Sequence, residues 1–190
     1  MFLNKGFKVK ELNEISEIVM GQSPPGNSYN EERKGTPFFQ GKAEFTDKYP
    51  VIKKWTTKPS KLALPNSILI SVRAPVGDVN LCNVKCCIGR GLASIRPTKG
   101  VSTLQYLYFS LQSIKDKIGY LGSGSTFKAI NSKQLASLKI SAPPLELQQK
   151  FASIVEKVEK MKEKQKKSYE EINHLFDSLM QKAFNGELVK

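Results

Sequence analysis

The sequence predicts an α+β fold: a mixed domain with prominent loops, followed by one long C-terminal coiled-coil helix. Three observations carry that prediction. Segment 67–72 (SILISV) alternates, which is a strand pattern. Composition changes at Ala142-Pro143-Pro144, from a Gly-, Pro- and Ser-rich stretch to a Lys/Glu-rich one without Pro, and without Gly until Gly186. Beyond that break apolar residues recur with a 3.5-residue period. The domain is therefore expected at 1–142 and the long helix within 143–190.

Within the first part, residues 11–19 give a short apolar face of Leu12, Ile15, Ile18 and Val19. Residues 21–29 (GQSPPGNSY) must be a loop, because Pro24 and Pro25 cannot donate to a sheet ladder and Gly21 and Gly26 favour turns. The strand at 67–72 places Ile68, Ile70 and Val72 on one face. Two further strands are expected at 79–84 and 86–96, with turn signals at Ala74-Pro75, Gly77-Asp78, Gly89 and Gly91. Residues 103–118 place Leu104, Leu107, Tyr108, Leu111 and Ile114 at helical spacing, with Thr103 as N-cap.

The last part carries a series stepping by four and three: Leu147, Phe151, Ile154, Val158, Met161, Gln165, Ser168, Ile172, Leu175 and Leu179. Only Gln165 and Ser168 are polar, and a polar layer inside such a seam sets register and orientation at some cost in stability. At 1.5 Å per residue, ~37 helical residues span roughly 55 Å. A single apolar stripe on so long a helix needs a partner. Either the helix folds back on its own domain or a second helix covers it; the charged run 156–167 favours an exposed rod.

Charge is divided as sharply as composition. Residues 1–142 hold 21 Lys and Arg against 9 Asp and Glu, and residues 143–190 hold 9 against 8. The net charge of +13 thus belongs almost wholly to the first part, and a basic domain suits a polyanion, nucleic acid first. No apolar run approaches the ~20 residues of a membrane span, and the N-terminus MFLNKGFKVKELNE is not a signal peptide. Cys82, Cys86 and Cys87 are odd in number and clustered, so they read as reduced thiols of a cytoplasmic protein rather than a disulfide framework. Zinc needs four placed ligands, and the single histidine, His174, lies far away, so no metal is expected.

Catalytic signatures are missing, so no catalytic residue and no cofactor are expected. An amino-methyltransferase loop needs Asn/Asp-Pro-Pro-aromatic, whereas the Pro-Pro pairs here are Ser23-Pro24-Pro25-Gly26 and Ala142-Pro143-Pro144-Leu145. There is no GxxxxGK[ST] segment for a nucleotide. Asp47 and Asp78 form no carboxylate cluster with metal-ligand spacing, and one histidine on the long helix gives no Ser–His pair.

Several segments together resemble the specificity subunit of type I restriction–modification systems. They are GQSPPGNSY at 21–29, LPNSILISVRAPVG at 64–77, IGRGLASIRP at 88–97, SGSTFKAINSKQLASLKISAPPLELQQKF at 123–151 and AFNGELV at 183–189. Their order and spacing over nearly the whole chain carry the resemblance. One departure is Leu147-Gln148, where the family usually has Glu-Gln. The other is length: the usual subunit has two recognition domains and two conserved helices, and this chain has one of each. A natural half-length chain and an excised fragment read alike; Met1 and the complete AFNGELV end favour the first. The resemblance implies sequence-specific binding of double-stranded DNA at a half-site. It also implies a second copy paired through antiparallel helices, a methylation subunit bound along the helix, and a restriction subunit where cleavage occurs; both are separate chains. The competing classes are a coiled-coil interaction module with a basic surface and no DNA role, and an enzyme with an unrecognised site.

Arg reads guanine and Asn or Gln reads adenine, whereas Lys and Arg contact phosphate. The candidate DNA-binding side chains are Gln22, Ser23, Arg33, Lys34, Gln40, Lys42, Arg73, Arg90, Ser123, Ser125, Thr126, Lys128 and Asn131. Two loops stand out, Gly21–Asn30 and Gly122–Lys128. Arg73 and Arg90, at strand ends beside glycine, read equally well as structural ion-pair partners.

Overall fold

The computed structural model describes residues 6–121 and 129–187. The chain divides into two compact units, Met1–Gln149 and Lys150–Lys190. Unit 1 contains, in order, β1 (Val9–Glu11), α1 (Leu12–Ile15), β2 (Ser16–Met20), β3 (Tyr29–Asn30), β4 (Thr36–Phe39), β5 (Lys54–Thr56), β6 (Leu62–Ala63) and β7 (Ser67–Ser71). It continues with β8 (Val79–Cys82), β9 (Cys86–Ile88), β10 (Leu92–Pro97), α2 (Leu104–Ser113), α3 (Lys115–Leu121), α4 (Ser132–Ala136) and β11 (Lys139–Ser141). The last helix, α5 (Leu145–Phe184), begins in unit 1 and forms unit 2. The fold is the expected mixed α+β domain with a long C-terminal helix.

Three sheets make up unit 1. A four-stranded antiparallel sheet has the order β2-β10-β7-β8. A five-stranded sheet has the order β3-β5-β4-β9-β6, in which β4 and β9 run parallel. β1 and β11 pair antiparallel as a separate ribbon. The larger core lies between the four-stranded sheet and the helices, with Ile68, Ile70, Ile95, Leu107, Leu111 and Ile118 buried in it. A smaller core gathers Phe39, Leu69, Ile88 and Leu92 between the two larger sheets. β7 is buried on both faces, so its Ile68 and Ile70 serve the first core and Leu69 the second.

The structure departs from the sequence expectation at three places. The strand expected at 86–96 is two strands in different sheets, because Gly89-Arg90-Gly91 turns the chain: Gly89 N–H donates to Phe39 O (2.8 Å) and Leu92 N–H to Gly89 O (3.0 Å). Both halves are buried on both faces, so no alternation marked the change of sheet. The helix expected at 103–118 is broken at Ile114 (φ −108°, ψ 12°), although Thr103 does cap it, accepting from Tyr106 N–H at 3.4 Å. The apolar face at 11–19 is one helical turn followed by a strand, with Ser16 Oγ donating to Leu12 O (2.7 Å) at the switch.

Cys82, Cys86 and Cys87 are free and buried, with the Cys82 and Cys86 sulfurs 3.6 Å apart. The hydrogen bond from Cys86 holds the Cys82 thiol below its ordinary pKa, and the same bond with burial pushes Cys86 up. Among the described residues no group of three His, Cys, Asp or Glu could hold a metal ion, and no helix is long and apolar enough to cross a membrane.

Candidate nucleic-acid interface

Three segments far apart in sequence converge at the ends of the two larger sheets. After β2, the chain continues with Gly21 N–H donating to Leu92 O (2.9 Å) and Gln22 N–H to Ile88 O (3.0 Å). This approach leaves no room for a side chain at Gly21, where a Cβ would lie 2.1 Å from the carbonyl oxygen of Gly89. Across the turn, a Cβ on Gly89 would meet Gln40 Cα at 2.9 Å and one on Gly91 would meet Gln40 O at 2.7 Å. The loop at 21–23, Gln40 after β4, and the turn at 89–91 therefore form one backbone-packed platform.

Ser23 is the hub of that platform. Its hydroxyl accepts from Gln40 Nε2 (2.9 Å) and from the Arg90 N–H (3.4 Å). Ser60 Oγ donates to the Gln22 carbonyl, and Ile88 N–H donates to Lys61 O (2.9 Å). Exposed Lys58 and Lys61 thereby flank the platform. Neither was among the candidates; the basic run 53–61 was visible, but nothing in its spacing placed it beside Gln22.

Arg73 belongs to the same end of the domain. Val72 N–H donates to Gly91 O (2.9 Å), Ile130 N–H donates to Val72 O (3.0 Å), and Arg73 bridges to Ala129. Ser123, Ser125, Thr126 and Lys128 lie outside the described residues. The side chains of Gln22, Arg73 and Arg90 are exposed and make no hydrogen bond or ion pair among the described residues. The alternative of structural ion pairs for the two arginines is thus not realised there.

Asn131 and Lys42 are spent on internal contacts, whereas Arg33 and Lys34 stay exposed. Asn131 caps α4, accepting from Gln134 N–H at 2.9 Å, in a capping box with Gln134. Lys42 and Lys115 both pair with Asp78 at 2.5 Å. Burial raises the Asp78 pKa, but the hydrogen bonds and charges of Lys115 and Lys42 outweigh it, so the carboxyl lies below its ordinary value. Arg33 and Lys34 stand on the turn before β4, at the opposite end of that strand from Gln40. Arg33 adopts φ +61°, Lys34 pairs with exposed Glu32 (2.5 Å), and the Asn30 side chain clamps the turn by bonding both Lys34 N–H (3.0 Å) and Lys34 O (2.9 Å).

In α5, Gln148 is the buried residue: it accepts from Thr103 N–H (3.0 Å) and donates to Val101 O (3.2 Å) and Pro143 O (2.9 Å). Of the apolar stripe, Leu147, Ile154, Val158, Met161, Ile172, Leu175 and Leu179 are exposed, as are Gln165 and Ser168. Phe151 is half-buried. Tyr169, Phe176, Met180 and Phe184 are also exposed and lie beside the stripe, widening the apolar face of the C-terminal half.

Comparison with known proteins fits this architecture. The chain belongs to the type I restriction modification DNA specificity domain family, whose model matches residues 4–174. It is 43% identical to the MjaX type I restriction enzyme specificity subunit of Methanocaldococcus jannaschii, over 99% of this chain and 48% of that protein. The HsdS subunit from Thermoanaerobacter tengcongensis has the same fold, with a TM-score of 0.73 at 37% identity, over 98% of this chain and 47% of that one. A chain from a structure of the type I R-M system, solved for its complex assembly and conformational transition, matches with a TM-score of 0.74 at 39% identity, over 98% and 48%. The chain spans about half the length of the relatives it matches.

Proposed function

We propose that the chain reads one half-site of duplex DNA as the specificity component of a type I restriction–modification complex. The observation that carries this reading is the platform of Gln22, Ser23, Gln40 and Arg90. It sets the exposed Gln22 and Arg90 side chains, unpaired among the described residues, on closely packed backbone, on a basic domain of the DNA specificity family. Residues 1–142 act as the recognition domain and 143–190 as the assembly segment. Methyl transfer and cleavage belong to separate methylation and restriction subunits.

A second copy of the chain supplies the other half-site. Relatives of about twice this length match it with nearly its whole length, and a symmetric pair of chains equals one of them in mass. The exposed stripe Ile154, Val158, Met161, Ile172, Leu175 and Leu179 forms the antiparallel seam, with Gln165 and Ser168 near its middle setting the register. The extra apolar width at Tyr169, Phe176 and Met180 exceeds what one partner helix covers, and supports docking of a methylation subunit there.

Selection from randomised duplexes tests the reading. The purified chain, alone and with its methylation subunit, should enrich an inverted repeat with a fixed spacer. Deleting one heptad from α5 should change the spacer and not the half-site. Failure to enrich any sequence, or enrichment of an unpaired single site, overturns the dimeric half-site reading.

A further inference from the structure

We propose that Arg90 is a guanine-reading residue, so that the half-site contains a guanine whose major-groove edge faces the 89–91 turn. The inference rests on the DNA-reading function proposed above and names a base within it. Arg90 is the centre of Gly89-Arg90-Gly91, and both glycines are packed against the Gln40 backbone too closely for any side chain. Its N–H is held by Ser23 Oγ (3.4 Å), which is itself held by Gln40 Nε2 (2.9 Å). The base of the side chain is therefore fixed, while the guanidinium is exposed and free of any carboxylate among the described residues.

Those two properties separate base reading from phosphate steering. A phosphate can be met by any cation within reach, whereas reading a base edge favours a side chain rooted at a fixed backbone position from which the planar fork can meet two acceptors. Guanine offers two acceptors, O6 and N7, to such a fork, whereas adenine offers one acceptor and one donor and repels the second N–H. Other cations near the platform suit the steering role instead: Lys58 and Lys61 are exposed lysines on the neighbouring segment. Lys42, two residues beyond Gln40, is already paired with Asp78.

The test is sequence selection by the full chain and by its R90A and R90K variants, followed by binding to the selected duplex with 7-deazaguanine at each guanine in turn. We expect the wild type to select a guanine at one position, and one 7-deazaguanine substitution there to weaken it roughly 5- to 100-fold. R90A should lose preference at that position, keep selection elsewhere, and become insensitive to the substitution, whereas R90K, whose ammonium can still donate to O6 and N7, should keep guanine with a weaker preference. R90A retaining the preference overturns the proposal, as does a wild-type half-site without guanine. If the wild type selects no sequence at all, the underlying DNA-reading function falls with it, a result distinct from failure of Arg90 alone.

Discussion

Asp78 takes two lysines, Lys42 and Lys115, at 2.5 Å each, so it neutralises one charge of an otherwise basic domain while tying segments remote in sequence. Because its folded-state pKa is depressed, its contribution is present above the unfolded-state value and is lost as pH falls through the folded one. D78N should therefore cost about 1 kcal/mol at pH 7, a modest figure because the lysines are partly solvated. The gap from wild type in urea unfolding should shrink as pH is lowered below about 4. Gln148 shows the same logic for a neutral group. The departure Leu147-Gln148 is unremarkable in sequence, yet its amide satisfies one N–H and two carbonyls in a buried pocket of unit 1. Asn131 went the other way: its residue type suits adenine, but Gln134 N–H at 2.9 Å makes it a helix cap.

At the level of elements, the turn at 89–91 matters most, because it passes the chain from the five-stranded to the four-stranded sheet and carries Arg90 at the crossing. Gly21 packs beneath it. G21A should destabilise unit 1 by roughly 2 kcal/mol or more, since its Cβ would press on the Gly89 carbonyl and only backbone movement relieves that. Thermal unfolding measures the loss, and selection should show weakened sequence preference before general DNA affinity fails. In α5, ion pairs such as Lys166–Glu170 and Lys167–Glu163 support the solvated faces, and the apolar stripe stays uncovered along unit 2. If the proposed antiparallel pair forms, I154D combined with L175D should convert dimer to monomer at micromolar concentration in sedimentation equilibrium, because each aspartate would enter the proposed seam without a partner. Circular dichroism should still report a folded unit 1.

For the whole molecule, charge is unevenly divided along the chain. The first 142 residues hold 21 of the 30 basic residues and only 9 of the 17 acidic ones, which supports the proposal that residues 1–142 bind a polyanion and 143–190 serve assembly. Lys58 and Lys61, which flank the platform, should contribute ordinary phosphate contacts. The K58Q, K61Q double variant should weaken binding to all duplexes alike and lower the salt slope by about 2, leaving the selected sequence unchanged. A change of sequence preference in that variant would move these lysines from steering to reading.

Much of the architecture was legible because it is local. Pro24-Pro25 forced a loop, Thr103 announced a helix start, alternation marked β7, and a 3.5-residue period marked α5. Each of these signals is complete within one or a few turns of chain. The strands β4, β5 and β6 were missed because their short segments show no alternation that stands out from loop. The assembly of the platform could not be read at all. Ser23 meets Gln40 across 17 positions, Ser60 meets Gln22 across 38, and Arg90 meets Ser23 across 67. Pairing of Lys42 with Asp78 spans 36. Sequence alone determined the mixed domain and the long helix after it, the basic excess and the apolar stripe, since backbone sterics, periodicity and net charge act on neighbours or on totals. Which polar and charged side chains stay exposed without a partner, and which are spent inside, was decided only when the parallel pairing of β4 with β9 and the crossing at Gly89–Gly91 brought those distant residues together.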